Sequence, residues 1–543
     1  MAGRARQKDL LLLTSFFVTT ATALFPGATP EQGDIRHIYP ISSLSIGVGA
    51  HGHVLPYLLG WIENIEWPKD RLNVDLYLLP DAAEDTSREQ LQWWIGKVKP
   101  LFRSVGLHDT KSLDKGWQED ALTKSRQQQA SFLLIWSADD LPSDYTLLNR
   151  LFKKEAPVVS TLLVGPPLNG DIWNLDDISQ DMKEFTDTEE EIPFVSLPLA
   201  LNLDASDSAY LTFDAGNLRG YSDSASARTM AIPLKIWRRK HIGWHFHDGF
   251  PLKTRKRTLR YFIADMIADR GSFPLYSSLY VRAGTPEASK HGFEKIYVIN
   301  LARRPERRCK MEAMCTVLGI DCEFFPAVDG ISLPTEFSSL KQLPGYEDPF
   351  WKRPMKGGEI GCLLSHYKIW EEVVSLGLSP VLVLEDDGRF ADGAFDSLRE
   401  TLNDIDEKKF DWGLIYIGRK RLQTESHREL WVPEIKHLST VGYSYWTIGY
   451  ALSLQGAKDL LAGDPLSKLI PVDEYIPIMA DVHTNRVWTE AYENRILKAF
   501  TVYPLLVYPQ RYTFERGHVS DTEASEIHTP TTPSQTSQVK TEL

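Results

Sequence analysis

The chain has 543 residues, 43% of them hydrophobic and 24% charged, with a formal net charge of -13. This composition excludes a fibrous or disordered chain, and the length exceeds what one ordinary core fills, so two or three domains are expected. A negative balance of this size argues against nucleic acid as a partner, because holding phosphates along a strand needs a positive face.

The N-terminus carries Arg4, Arg6 and Lys8, then an apolar run from Leu10 to Val18, then Ala21-Thr-Ala23. This is the layout of a signal peptide over residues 1–23, and the run is too short to anchor in a bilayer. No later segment reaches membrane-spanning length. The chain ends in Lys540-Thr-Glu-Leu543, a variant of the Lys-Asp-Glu-Leu retrieval signal. The two end segments together predict residence in the lumen of the endoplasmic reticulum, with its retrieval receptor as a partner. The four cysteines, Cys309, Cys315, Cys322 and Cys362, fit no zinc spacing, and in an oxidising lumen they allow one or two disulfides of open connectivity. There is no Asn-x-Ser/Thr sequon.

Residues 40–285 read as a first α/β domain. Strands at 44–48 and 72–79 flank a helical stretch at 55–65, and the strand at 131–136 runs into Ser137-Ala-Asp139-Asp140. Ser137 stands where a second acid would share a face with Asp139, so a metal there would lack a partner ligand and no chemistry is expected. Residues 186–191 read as an acidic, solvent-exposed loop, and Tyr221-Ser-Asp-Ser-Ala-Ser226 offers no site. Small and polar residues at 283–290 suit a linker.

A second α/β domain is expected over 290–516. Its first strand, 295–301, leads into Arg303-Arg-Pro-Glu-Arg-Arg308. Pro305 can start a helix, and the arginines of the preceding loop, Arg303 and Arg304, and of the first turn could face a diphosphate together with the helix N-terminus. A turn follows at Ala327-Val-Asp-Gly330, then an amphipathic helix over 360–376, in which His366 is assigned a core or capping role. The apolar run Val381-Leu-Val-Leu384 reads as a buried, parallel strand that stops on Glu385-Asp-Asp387. Alternation along an extended chain puts Glu385 and Asp387 on one face and Asp386 on the other. A carboxylate pair on one face is costly unless a hard cation neutralises it, which points to Mg²⁺ or Mn²⁺ bridging a substrate diphosphate. Beyond lie a helix marked by Phe395, Leu398, Leu402 and Ile405, strands at 414–417 and 447–453, and a second acid pair in Ile470-Pro-Val-Asp-Glu-Tyr475. Residues 517–543 are rich in Ser, Thr and Pro and read as a flexible tail presenting the retrieval signal.

At Tyr297-Val-Ile-Asn-Leu-Ala-Arg-Arg-Pro-Glu-Arg-Arg308, Ala327-Val-Asp-Gly330, Gly358-Glu-Ile-Gly-Cys-Leu-Leu-Ser-His366, Leu384-Glu-Asp-Asp387, Ile415-Tyr-Ile-Gly-Arg-Lys420, Ser444-Tyr-Trp-Thr-Ile-Gly-Tyr-Ala-Leu-Ser453 and Pro471-Val-Asp-Glu474 the chain resembles glycosyltransferase family 25, including its procollagen galactosyltransferases. The resemblance implies two tandem GT-A-like, Rossmann-related nucleotide-sugar domains, the second catalytic. It further implies UDP-galactose as donor, Mn²⁺, and hydroxylysine of procollagen or collagen-like chains as acceptor. On this reading Glu385 and Asp387 bind metal with His483 as a third ligand, Asp473 is the catalytic base with Glu474 as second choice, and Arg303, Arg304, Asp329 and Asp386 serve the donor. Two departures are Gly388 after the acid triplet and Ser137 in the first domain. The rival reading is a non-enzymatic relative that keeps the fold for binding or adhesion.

Overall fold

The computed structural model describes residues 39–110, 116–154, 156–161, 188–191, 198–213, 234–238, 243–245, 252–333, 337, 340–349, 352–422, 429–510 and 520–522. The signal-like segment, Tyr221-Ser-Asp-Ser-Ala-Ser226 and Lys540-Thr-Glu-Leu543 lie outside the described residues. The chain divides into two units: residues 1–163, 183–243 and 278–281 form the first, and residues 164–182, 244–277 and 282–543 the second.

The first unit is built on an eight-stranded sheet. Its strands are β1 (Ser42–Val48), β2 (Leu72–Leu78), β3 (Ser104–Asp109), β4 (Phe132–Ser137), β5 (Val158–Thr161), β6 (Thr188–Glu191), β7 (Leu199–Asn202) and β8 (Leu234–Arg238), in the order β3-β2-β1-β4-β7-β5-β8-β6. The first four run parallel, connected through helices α1 (Leu55–Asn64), α2 (Ser87–Val98) and α3 (Trp117–Gln127). Residues 188–191, expected as a loop, instead form the edge strand β6, antiparallel to β8. An edge is the place where a sheet accepts a run of charged sequence, since one side of its ladder is open to water.

The second unit carries helix α4 (Leu252–Arg270) ahead of its sheet. The helix therefore falls on the other side of the boundary expected near residue 285. The reason is local packing: Tyr261, Phe262 and Ile263 are buried, the Tyr261 hydroxyl accepts from Phe395 N at 3.1 Å, and buried Asp265 lies 3.3 Å from buried Arg389. The sheet has seven strands: β9 (Lys295–Asn300), β10 (Glu323–Pro326), β11 (Val381–Glu385), β12 (Leu414–Arg421), β13 (Leu438–Thr440), β14 (Ser444–Leu452) and β15 (Ala499–Val502), in the order β10-β9-β11-β14-β12-β15-β13. Strand β11 is parallel to β9 but antiparallel to β14, so the wholly parallel setting expected for it holds on one side only. The sheet mixes parallel and antiparallel pairs, and with the helices packed on it the fold is α/β.

This arrangement brings the carboxyl ends of β9, β10 and β11 and the amino end of β14 to one edge. Helix α5 (Pro305–Leu318) starts there with Pro305 in its first turn, where a missing N–H costs nothing. Helix α6 (Gly357–Leu376) buries Leu363, Ile369, Trp370 and Val373 against Tyr297, Val381, Val383 and Tyr450. Each such side chain contributes roughly 1.5–3 kcal/mol. Three further helices complete the unit: α7 (Ala394–Lys408), α8 (Leu454–Ala462) and α9 (Val472–Met479). The turn at 327–330 presses directly onto the first turn of α6. A Cβ on Gly330 would run into the Gly357 carbonyl, and one on Gly361 would run into the Val328 carbonyl, which explains both glycines. Among the cysteines, the Sγ atoms of Cys315 and Cys322 lie 2.6 Å apart. Among the described residues no helix is long and apolar enough to cross a membrane.

Candidate active site

Strand β11 ends at Glu385, and the chain turns through Asp386 and Asp387. The turn breaks the alternation expected of an extended chain. Asp386 therefore joins Glu385 and Asp387 on one cavity, whose other walls include Arg303, Arg307, Asp329, Cys362, His366 and residues 520–522.

Each carboxylate has its own surroundings. Asp386 is buried and accepts from Asn300 Nδ2 at 2.6 Å and Arg307 Nη1 at 3.2 Å, so its immediate role is to hold the arginine. Asp387 lies 3.7 Å from the same guanidinium. Its Oδ1 is buried and has no hydrogen-bond partner among the described residues. Glu385 Oε1 accepts the Thr447 hydroxyl at 2.5 Å and stands 3.6 Å from His366 Nε2, too far for a hydrogen bond. His366 is fully buried on α6. Its Nδ1 meets the Tyr450 hydroxyl at 2.9 Å, which leaves Nε2 facing the acids with no hydrogen-bond partner among the described residues. The core or capping duty assigned to His366 is thus half right, since one nitrogen anchors it and the other addresses the site.

Three acids in one buried place cannot all ionise freely. Burial and then the neighbouring Glu385 charge push Asp387 up to about 7. Burial also raises Asp386, against the pull of Arg307 and Asn300. Glu385 is the acid that stays ionised: burial works against it, but His366 and Thr447 outweigh that and hold it below the usual carboxylate range.

The second acid pair sits in the first turn of α9, and its two members part company. Glu474 is buried and saturated: Oε2 accepts from Tyr443 at 2.7 Å and from His483 Nε2 at 2.8 Å, and Oε1 from Tyr445 at 2.6 Å. His483 Nδ1 accepts from Asn485 N at 2.9 Å, so both ring nitrogens are taken. The expectation that His483 binds metal gives way to this closed network, and Glu474 is likewise unavailable as a base. Asp473, by contrast, is half-buried and hydrogen-bonded to Thr447 and to the Trp446 backbone, and burial followed by the Glu385 and Glu474 charges pushes it up to about 7. Trp446 holds a left-handed backbone, φ +70°, inside β14, where the β12 pairing is irregular. That local strain aims its backbone and the next side chain at the acids.

Of the residues singled out in the sequence, Glu385, Asp386, Asp387, Arg303 and Asp329 meet at the cavity, Arg304 reaches its edge through Asp521, and Asp473 is tied in by Thr447. Arg307 belongs to the first-turn arginines expected to face a diphosphate, whereas Cys362, His366, Thr447 and Asp521 were missed. For two of them a signal existed: His366 follows Cys362 by four, which puts both on one face of α6. One ligand atom from each of Cys362, His366 and Glu385 fits within 4.8 Å. Burial drives the Cys362 thiol well above its ordinary value, so it remains a neutral thiol and a poor partner for a hard cation.

In the first unit Asp139 is closed off. One oxygen meets His51 Nε2 at 2.5 Å and the other accepts from Ser137 Oγ at 2.9 Å. Ser137 consumes acceptor capacity that a ligand would need.

The family model "Glycosyltransferase family 25 (LPS biosynthesis protein)" matches residues 293–476, the stretch that holds Arg303 to Arg307, the acid turn, Thr447 and Asp473. A "Glycosyltransferase 25 family member" of Aedes aegypti is 37% identical over 519 residues, covering 87% of this chain and 84% of its own. The chain belongs to glycosyltransferase family 25. Within the family it is 32% identical to "Procollagen galactosyltransferase 2" of Homo sapiens, over 88% of this chain and 82% of that one. It is 29% identical to "Probable inactive glycosyltransferase 25 family member 3" of Bos taurus, over 92% and 91%. The α/β fold and the acid-lined cavity are those of a nucleotide-sugar glycosyltransferase.

Proposed function

We propose that this protein transfers galactose from UDP-galactose to hydroxylysine of procollagen or collagen-like chains in the lumen of the endoplasmic reticulum. One observation carries the chemistry. At the edge where β9, β10 and β11 end, an acid cluster in which one Asp387 oxygen has no hydrogen-bond partner among the described residues lies beside Arg303 and Arg307, while Asp473 reaches the same cluster through Thr447. The name of the human relative supports the sugar and the acceptor, and the two end segments of the chain support the compartment.

The residues present fit a divalent cation such as Mn²⁺. Asp387 Oδ1 and His366 Nε2 are buried without hydrogen-bond partners among the described residues, and Glu385 is held ionised beside them, so Asp387, Glu385 and His366 would hold it. When bound, the ion would offset the charge of the donor diphosphate. Arg303 and Arg307 present guanidinium forks to phosphate oxygens. Asp473, poised near neutral pH, takes the proton of the acceptor hydroxyl as its oxygen bonds to sugar C1 and the C1–O bond to the diphosphate breaks. Thr447 fixes Asp473 relative to Glu385. The closed Asp139 network bears only on the first unit, which is read as structural, and does not favour the non-enzymatic reading for the second.

The test is incubation of the purified protein with Mn²⁺, a panel of UDP-sugars and a hydroxylysine peptide. Galactose transfer is expected, and no transfer from any donor would overturn the reading. Deleting Lys540-Thr-Glu-Leu543 should send the protein into the medium, whereas unchanged secretion would remove the case for retrieval.

A further inference from the structure

Asp521 lies in the stretch whose composition suggests a flexible tail, yet its side chain is only 10% exposed. Three guanidinium groups converge on this one carboxylate: Arg303 Nη1 at 2.7 Å, Arg304 Nε at 3.0 Å and Nη2 at 2.8 Å, and Arg307 Nη2 at 3.2 Å. Arg303 also meets Asp329 at 3.1 Å and Arg307 meets Asp386 at 3.2 Å, while Asp521 touches all three arginines. Burial alone would raise the Asp521 carboxyl, and Arg304 and Arg303 outweigh it and hold the group ionised. The backbone at 521–522 rests on the first turn of α6, where a Cβ on Gly358 would run into Asp521 O and Thr522. Residues 520–522 thereby form one wall of the cavity that the acid turn and Arg307 also line.

A diphosphate offers guanidinium forks the same kind of oxygens as a carboxylate, with more charge. The donors of a planar fork are fixed in direction, so an arginine pointed at Asp521 cannot give the same N–H groups to phosphate. Residues 520–522 belong to no helix or strand, so their departure need not disturb the core. Resting on the donor-binding reading above, we infer that Asp521 is a resident stand-in for the donor phosphates: it occupies the arginine trio when the cavity is empty and is displaced, with residues 520–522, when the diphosphate binds. Donor affinity is then set by a competition inside the chain.

The test uses UDP with Mn²⁺ as the probe on the full chain. Asp521→Asn keeps the shape and removes the competing charge, so calorimetry should show UDP binding tightened by about tenfold, the scale of one charge-assisted hydrogen bond. Unchanged or weaker binding would overturn the inference. Hydrogen exchange of the 521 and 522 amides in the unmutated protein gives a second answer that needs no variant: displacement predicts faster exchange when UDP is added, and slower exchange would make the segment a wall that closes on the donor. Arg307→Ala separates the two levels. If UDP binding does not respond to it, the donor site is elsewhere; if it does respond while Asp521→Asn has no effect, the donor site stands and the stand-in role falls.

Discussion

Thr447 donates its hydroxyl to Glu385 at 2.5 Å while the same side chain is hydrogen-bonded to Asp473. Burial and then the Glu385 and Glu474 charges push Asp473 up to about 7, outweighing the lowering pull of the Thr447 hydrogen bond. Thr447 thus links the acid held ionised beside the metal position to the acid that takes up the acceptor proton.

Replacing the two acids should separate two roles. Asp387→Asn swaps a charged ligand for a neutral one of the same shape, so Mn²⁺ and UDP affinity should fall together and excess Mn²⁺ should restore part of the rate. Asp473→Asn should leave UDP affinity in place and lower turnover by on the order of 10² to 10⁴, the contribution of a positioned general base. Calorimetry beside transfer rates checks this, and equal loss of UDP affinity in both variants would refute it.

The pH dependence has a definite sign. Asp387 and Asp473 are raised to about 7, above the ordinary carboxylate value of about 4. The neutral forms are favoured in the fold, so their stabilising contribution is full below about pH 4 and is lost as pH rises through about 7. The metal-free protein should therefore melt higher at pH 5 than at pH 8, and Mn²⁺ should narrow the gap by stabilising the ionised acids. Transfer should rise through pH 7 as Asp473 ionises. Melting curves with and without Mn²⁺ and a pH–rate profile measure both.

Glu474 and His483 should matter for stability and not for metal. Glu474→Ala leaves His483, Tyr443 and Tyr445 without their buried partner and should cost about 3–5 kcal/mol, the scale of breaking a buried charged network. His483→Asn should lower the melting temperature with Mn²⁺ affinity unchanged. A parallel loss of Mn²⁺ binding would return His483 to the metal.

In the first unit, Asp139→Asn should leave turnover within a few fold, since both oxygens of Asp139 serve His51 and Ser137. A loss of turnover with the melting temperature retained would show that this unit takes part in the reaction.

The sequence by itself determined the α/β class, because Val381 to Leu384 and their counterparts are apolar runs of strand length between helical periodicities. It also located the acid turn, since three carboxylates directly after a core strand repel one another at the edge of a low-dielectric interior and call for a cation. Covalent proximity was enough to read Arg303 beside a helix start and Glu385 with Asp387, whereas Asp329 was named only through the family resemblance. Which acids act together was decided by tertiary structure alone. Asp473 and Glu474 are neighbours with the same chemistry, and only the packing of α9 against β14 turns one toward Thr447 and buries the other under two tyrosines and His483. Asp386 looked outward by alternation, but the strand ends at Glu385, two residues before the acid run does. Thr447 and Asp521 carry no local mark at all, because a lone hydroxyl in a strand and a lone acid in a polar tail gain meaning only from side chains 62 and 217 positions away that the fold brings within hydrogen-bond reach.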